Sequence, residues 1–260
     1  MKKLIATLLI SGSIFAAPVE NTSAPELIKE GFFIPCDSVV DVRAGYEGDF
    51  IADARMQQYD YSSGRVDSYQ QQTNAGTVTL NFLNRLDIYG LLGSSRTCVD
   101  WRFTIGDDVR RAQLETLYSF LWGVGARGIF YKLGCLSFGA GGRFEHAKYD
   151  NLWLTIDGIV QNVSGTELHW RVWQIDLDMS YKIDIFTPYI GIKYSNVRSG
   201  VGLFATPISN SGAGVNCFEN RTPVGVFIGC SLSSGKCFML NIEGRLIDEE
   251  AVTISGDFRF

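Results

Sequence analysis

The end of the chain alternates strictly between apolar and polar side chains. One face of the last ten residues carries Val252, Ile254, Gly256, Phe258 and Phe260, and the other carries Ala251, Thr253, Ser255, Asp257 and Arg259. Because successive side chains of a strand point to opposite faces, this segment predicts a strand with one apolar and one polar face. Such a strand fits a sheet that has hydrocarbon on one side and water on the other.

The same period of two recurs along most of the chain and predicts an all-β fold, a transmembrane antiparallel up-and-down β-barrel. We expect ten strands, or twelve if the two longest ascending segments are each hairpins. The ascending segments are Val39 to about Met56, Leu86 to about Phe103, Cys135 to Ala147, Pro188 to Val197 and Cys237 to Ile247. The descending segments run from the low seventies to Leu83, then Tyr118 to Ile129, Leu168 to Tyr181, Thr222 to Ser231 and Ala251 to Phe260.

One segment departs from the simple alternation. Trp170 and Val172 stand on even positions, whereas Trp173, Ile175 and the apolar residues after them stand on odd ones. This change of phase predicts a β-bulge near Val172. A water-soluble β-sandwich would also show alternation, because it buries one face against a second sheet.

The N-terminus predicts export and favours the barrel. Lys2 and Lys3 precede the apolar run Leu4 to Ile10 and the small residues Ser11 to Ala17, which together predict a secretory signal peptide at 1–16. Each later apolar run is interrupted, so a closed barrel is the remaining way to cross a bilayer. We therefore predict a periplasmic N-terminal segment at 17–38, a barrel at 39–260 and a location in the bacterial outer membrane.

Composition and charge narrow the function. The chain has 28 Gly, 17 Phe and 11 Tyr with a formal net charge of -5, which suits a β-barrel with aromatic girdles. No stripe of basic residues is present, so nucleic acid is not an expected partner. The polar strand face carries charges of both signs and predicts a lumen whose charges set selectivity. The candidate lumen residues are Arg43, Arg55, Arg102, Arg143, Asp176, Asp178, Lys193 and Arg245.

The six cysteines are candidates for disulfides in an oxidising compartment. Cys36, Cys135, Cys230 and Cys237 are predicted at the periplasmic rim, while Cys98 and Cys217 lie elsewhere. Cys230 and Cys237 flank one hairpin turn and are candidates for an internal bridge; Cys36 and Cys135 are candidates for pairing with each other or with another molecule. Buried free thiols are the alternative. The spacing of the cysteines predicts no metal site, and we expect no cofactor.

Several segments together resemble the chlamydial major outer membrane protein family of porins. They are Cys36 to Phe50, Leu80 to Ile88, Trp122 to Gly128, Leu133 to Ala140, Trp173-Gln174 with Pro188 to Gly191, Arg245 to Glu249, and Asp257 to Phe260. The resemblance implies an outer-membrane barrel that passes ions and small solutes and whose disulfides stiffen the envelope. The last strand also resembles the closing strand of bacterial outer-membrane barrels, and this likeness implies that Phe258 and Phe260 form the signal read by the barrel-assembly machinery. The chain is shorter than the family's major porin.

Three functions are compatible with these patterns. The first is a porin-like barrel for passive diffusion, with a structural role in a disulfide-linked envelope. The second is a non-conducting structural or adhesive barrel. The third, an outer-membrane hydrolase using His146 or His169 near Asp150, Asp157 and Ser164, lacks a motif that specifies a nucleophile, so we expect no enzyme. The expected partners are outer-membrane lipid, the assembly machinery, other cysteine-rich envelope proteins and further copies of the chain.

Overall fold

The computed structural model describes residues 18–33, 38–58, 65–105, 107–202 and 217–260. Within these ranges it has one short helix, α1 (Ala24–Leu27), and fourteen strands of a single antiparallel sheet. The strands are β1 (Val40–Ala54), β2 (Met56–Gln58), β3 (Arg65–Phe82), β4 (Leu86–Ile105), β5 (Asp108–Thr116), β6 (Ser119–Leu133), β7 (Leu136–Ile156), β8 (Ile159–Gln161), β9 (Glu167–Tyr181), β10 (Phe186–Gly202), β11 (Cys217–Asn220), β12 (Val224–Ser233), β13 (Phe238–Leu246) and β14 (Glu249–Arg259). The predicted signal peptide lies outside the described residues.

Ten of these strands close the barrel. In chain order β1, β3, β4, β6, β7, β9, β10, β12, β13 and β14 each pair with the next, and β14 pairs back onto β1, with Phe258 opposite Ala44. The prediction of ten strands is confirmed. The alternative of twelve is wrong, because the two longest ascending segments form single spanning strands, β1 and β4.

The four remaining strands extend the wall at one end. β5 pairs with β4 and β7 beyond the end of β6, and β8 pairs with β7. β2 pairs with β11 across the short β13–β14 hairpin, so that the wall continues above it. We name this the outer end, because the short turns and Phe260 lie at the opposite, periplasmic end, as in barrels of this topology.

The two strand faces meet different surroundings. Large apolar side chains point away from the barrel and are exposed, among them Leu80, Ile88, Val124, Ile175, Leu177, Ile190, Ile192, Ile228, Ile242 and Ile254. Side chains on the opposite face point into the interior and are mostly buried. Among the described residues, no helix is both long and apolar enough to cross a membrane.

The predicted bulge near Val172 is absent. β9 alternates without a register shift against both β7 and β10. Trp170 and Val172 point into the barrel and are 2% exposed, whereas Trp173 points outward and is 42% exposed. The apolar residues change face because the barrel interior changes from polar to apolar toward the outer end, and the backbone continues unchanged.

Candidate functional site

The N-terminal segment at 18–33 runs inside the barrel from residue 18 to about residue 28, and its last residues are exposed at the periplasmic end. It enters at the periplasmic end, where the amides of Lys29 and Glu30 donate to the carbonyl of Gly235 at 3.0 and 3.2 Å. Residues further inward are buried, including Val19 and Thr22. The prediction of a periplasmic segment at 17–38 is therefore corrected for residues 18 to about 29. The physical reason is that charged side chains of the lumen wall bond the backbone amides and carbonyls of this segment.

Carboxylates of the barrel wall hold the inner part of this segment. The amides of Val19 and Glu20 donate to the two carboxylate oxygens of Glu243, each at 2.9 Å. The amide of Thr22 donates to Asp178 at 2.9 Å, and its hydroxyl donates to the same carboxylate. Because a carboxylate that accepts from backbone amides forms strong charge-assisted hydrogen bonds, these contacts fix the position of the segment.

Two arginines of the wall bind the carbonyls around α1. Arg43 donates to the carbonyls of Ala24 and Pro25 at 3.0 and 2.9 Å, and Arg259 donates to the carbonyl of Ile28 at 2.8 Å. A helix of one turn leaves its carbonyls without partners, so cations are suitable neighbours for them. Ser23 stands at the N-cap position without a side-chain capping hydrogen bond, and Pro25 in the first turn favours a helical turn here.

Apolar contacts between the segment and the wall are few. Leu27 and Ile28 pack with Met239 in one small cluster, and Val19 packs with Tyr189 and Phe227 in another. Most of the described contacts are therefore polar. Water can replace polar contacts at a lower cost in free energy than it can replace an apolar core.

The middle of the lumen is filled by ion pairs. Arg143 contacts Glu47 at 2.6 Å and also pairs with Glu145. Arg245 contacts Asp49 at 2.6 Å, and Lys193 contacts Asp248 at 3.1 Å. A charge removed from water is costly unless it is paired, which explains why these side chains form a network.

Acidic side chains outnumber basic ones in this network. Of the buried charged residues in the described ranges, twelve are acidic and six are basic. The acids are Glu20, Asp41, Glu47, Asp49, Asp87, Glu145, Asp176, Asp178, Glu243, Asp248, Glu249 and Asp257; the bases are Arg43, Arg127, Arg143, Lys193, Arg245 and Arg259. Backbone amides of the N-terminal segment offset part of this excess. A lumen without that segment would be electronegative.

The outer end of the lumen is closed by an apolar cluster. Trp101, Tyr149, Leu168, Trp170 and Phe218 are at most 2% exposed and belong to one group of packed side chains. The rings of Trp101 and Phe218 meet edge to face, with their centroids 5.5 Å apart. The described conformation is therefore filled at three levels: by the N-terminal segment, by the ion pairs and by this outer apolar cluster.

The predicted lumen residues divide into two groups. Arg43, Arg143, Asp176, Asp178, Lys193 and Arg245 point into the interior and are at most 5% exposed. That they line a conducting path stays a prediction.

Arg55 and Arg102 lie on the outside, and their assignment to the lumen is wrong. A register shift in β1 between Ile51 and Asp53 reverses the faces ahead of Arg55, which is exposed. Arg102 pairs with Asp67 at 2.6 Å and its side chain is 53% exposed. The inward residues around it are Trp101 and Phe103, because the interior of the outer end is apolar.

Sequence reasoning missed Arg127 as a lumen residue. Arg127 contacts Asp87 at 3.0 Å, Asp257 at 3.7 Å, and Glu20 of the N-terminal segment. Arg127 stands on an odd position of β6, so its side chain is on the other strand face from the exposed Val124. This alternation was the available signal. The polar run from Glu20 to Ser23, followed by Pro25, was a signal for a capped helical turn.

The described cysteines are all free. Cys135 is exposed in the periplasmic turn between β6 and β7; Cys217 is exposed at the outer end; Cys98, Cys230 and Cys237 are partly exposed. The strand partner of Cys230 is Ile242, five residues beyond Cys237, which separates the two cysteines by roughly 15 Å at the rise of a strand. A disulfide needs Cα atoms within about 7 Å, so the proposed internal bridge is wrong. Cys36 lies outside the described residues.

The remaining candidate residues are the two histidines and the two C-terminal phenylalanines. His146 and His169 lie on neighbouring strands and point outward, His146 beside the ring of Trp122 and His169 at 3.6 Å from Glu167. Phe258 also points outward and packs on Phe238 with ring centroids 4.8 Å apart. The amide of Phe260 donates to the carbonyl of Val42. Recognition of Phe258 and Phe260 by the assembly machinery stays a prediction.

No group of three or more His, Cys, Asp or Glu side chains in the described part of the chain is arranged to hold a metal ion.

Comparison with known proteins supports this architecture. No family model matches the chain. A major outer membrane porin of Chlamydia pneumoniae is 26% identical over 390 aligned positions, which cover 100% of each chain. The serovar E porin of Chlamydia trachomatis is 23% identical over 394 positions, again covering 100% of each. Because this chain has 260 residues, these relatives carry long insertions relative to it.

Among solved structures, the COG4313 outer membrane channel of Pseudomonas putida aligns with 94% of this chain and 100% of its own at a TM-score of 0.45 and 10% identity. At that score the fold rests on the strand pairing described above. The closed ten-stranded sheet with its apolar outer face defines an outer-membrane β-barrel of porin type. The alignments along its full length then narrow the class: the chain is similar from end to end to the major outer membrane porins of Chlamydia.

Proposed function

We propose that this barrel passes small ions and solutes by passive diffusion and that the segment at 18–33 acts as its gate. The described conformation is the closed state. The observation that carries the proposal is the nature of the contacts between segment and wall: they run mainly to charged side chains such as Glu243, Asp178, Arg43 and Arg259. When the segment leaves, water can solvate each of these groups, so that withdrawal hydrates the periplasmic part of the charged lumen. Conduction then also requires the ion pairs and the outer apolar cluster to move aside.

The charge of the lumen makes cations the preferred solutes. Buried acids exceed buried bases two to one among the described residues. Rings of carboxylates in a narrow pore of low dielectric constant favour cations over anions. We therefore expect selectivity for small cations.

The outer apolar cluster limits the conductance. Trp101, Trp170 and Phe218 close the path between the ion pairs and the external side. Hydrophobic constrictions exclude water when they are narrow, and a barrel of about 8 strands has an interior that side chains fill. A ten-stranded barrel is only slightly wider, so we expect low conductance even with the gate withdrawn.

Planar bilayer recordings test this function. The mature chain from residue 17 and a variant that lacks residues 18–33 are compared, each after its folded state is checked by its altered mobility in unheated electrophoresis. We expect rare, small openings for the mature chain, frequent openings for the shortened variant, and a reversal potential in a salt gradient that shows preference for potassium over chloride. If the folded shortened variant does not conduct, the diffusion function is wrong and a non-conducting structural or adhesive barrel takes its place.

A second, structural function is supported by one cysteine. Cys135 is exposed in the short turn between β6 and β7 at the periplasmic end. A thiol in that position is accessible to cysteines of neighbouring envelope proteins and of other copies of the chain, in a compartment that permits disulfides. We propose that Cys135 links the barrel to other envelope proteins, a role that does not require conduction.

A further inference from the structure

The outer surface of three neighbouring strands carries a row of basic side chains. Arg171 on β9 lies directly opposite Arg198 on β10 and, on its other side, opposite His146 on β7. The next row toward the outer end places His169 opposite Lys148. All five point away from the lumen, so they have no part in the ion-pair network inside. We call these five residues the outer basic patch.

Neither arginine of this patch forms an ion pair with a described carboxylate. Within the described ranges, no carboxylate lies within ion-pair distance of Arg171 or Arg198. Lys148 does have a partner, since its amino group is 2.8 Å from Glu167. Like charges placed directly opposite on adjacent antiparallel strands are destabilising. Two unpaired arginines in such a pair therefore indicate a site for an external anion.

A carboxylate near the patch has another partner. Glu219 on β11 lies directly opposite Arg198, on the side away from Arg171, and lines the same surface groove. Its carboxylate forms no ion pair with Arg198 and accepts a hydrogen bond from the side-chain amide of Gln57 at 2.8 Å. It therefore lowers the positive charge of the groove without pairing with either arginine.

Aromatic side chains place the patch at the depth of lipid headgroups. Immediately on the periplasmic side of it, Trp173 packs on Tyr194 with ring centroids 5.5 Å apart. Trp122 lies directly opposite His146 of the patch and packs on Phe144 with ring centroids 5.7 Å apart. Aromatic girdles mark the membrane interface in outer-membrane barrels. Below them the outward face of β9 continues with Ile175, Leu177 and Met179 toward the periplasmic end. The patch is thus level with the headgroups of the outer leaflet.

We propose that the outer basic patch binds a phosphate group of a phosphorylated lipid in the outer leaflet. Arg171 and Arg198 would donate to its oxygens in the forked geometry that suits phosphate. The acyl chains would lie along Trp122 and Phe144, which line the same groove. The combination of unpaired cations and adjoining apolar rings selects a lipid phosphate over a free one, because only a lipid uses both surfaces. The proposal is independent of whether the lumen conducts.

A binding experiment on the refolded mature chain in neutral detergent tests this proposal. Diphosphoryl lipid A and the same lipid after enzymatic dephosphorylation are titrated, and bound lipid is counted by native mass spectrometry. The test variant is R171Q/R198Q. The control is R85Q/K236Q, which changes the net charge equally at two exposed residues of the periplasmic turns. Folding of each variant is verified by unheated electrophoresis.

We expect the phosphorylated lipid to bind at least about tenfold more tightly than the dephosphorylated one, since each charge-assisted bond contributes about tenfold or more. R171Q/R198Q should lose this preference, and the control should keep it. Equal binding of the two lipids, an unchanged preference in R171Q/R198Q, or equal loss in the control overturns the proposal. So does displacement of the lipid by inorganic phosphate at an equal concentration, which would identify a simple anion site.

Discussion

Thr22 of the N-terminal segment is bound to Asp178 of β9 through both its backbone amide, at 2.9 Å, and its hydroxyl. Asp178 lies directly opposite Gly139 of β7 in the sheet. A side chain on Gly139 would collide with Thr22, because a Cβ built there overlaps the threonine side chain. The missing side chain of Gly139 thus provides the space in which Thr22 reaches Asp178.

This arrangement predicts that G139V displaces the segment at 18–33 while the barrel stays closed on itself, with a small shift at the Gly128 carbonyl, which would lie 2.9 Å from the new Cβ. Valine suits a strand, but its side chain would occupy the place of Thr22. We expect more frequent channel openings in planar bilayers and faster proteolysis within 18–33 than in the unmodified chain.

G142V is the matched control, since Gly142 lies on the same strand and points outward, where a Cβ finds its nearest neighbours at 3.5 and 3.7 Å. If G139V and G142V behave alike in both measurements, the space left by Gly139 is not what keeps the segment in place.

The ion pairs in the lumen predict a large effect of R143M on stability. Removing Arg143 leaves Glu47 and Glu145 as buried carboxylates without their cation, a change that costs about 3–5 kcal/mol in buried pairs. We expect a correspondingly lower midpoint of urea unfolding in micelles.

R102M provides the comparison for R143M. Arg102 pairs with Asp67 on the exposed outer surface, where an ion pair contributes about 0–1 kcal/mol. Equal shifts of the unfolding midpoint in the two variants would show that the interior pairs are solvated like surface ones.

The uninterrupted alternation of β9 predicts opposite environments for two tryptophans three residues apart. Trp173 points to lipid and is 42% exposed, while Trp170 is 2% exposed inside the barrel. In bilayers that contain brominated phospholipid, W173F should lose part of the quenchable fluorescence and W170F should lose none. A bulge between the two residues would produce the reverse result for Trp170.

The exposed turn predicts that Cys135 makes the disulfide-linked species of this protein. Without reductant, envelopes should show high-molecular-weight bands that disappear with C135S and persist with C98S, because Cys98 lies near the outer end of β4. Peptide mapping should find no bridge between Cys230 and Cys237. Bands that survive in C135S would assign the link to another cysteine.

The alternation of single strands could be predicted because each strand meets two solvents along its own length. Ile175, Leu177 and Ile254 face lipid as the period of two indicates. Counting such segments predicted ten strands with twelve as the alternative, and the strand pairing decided for ten. The alternation depends on neighbours one or two positions away, so the amino-acid sequence by itself determined it.

The content of the lumen was decided only by the tertiary structure. Val19 meets Glu243 across 224 positions of the chain, and no local pattern marks that pair or the entry of the segment at 18–33. Arg102 points outward and Trp170 points inward, which is the reverse of a simple assignment of polar residues to the interior. The reason is physical: the polarity inside a closed barrel changes along its axis with the side chains that ten strands bring together, whereas the lipid outside imposes one requirement on every strand.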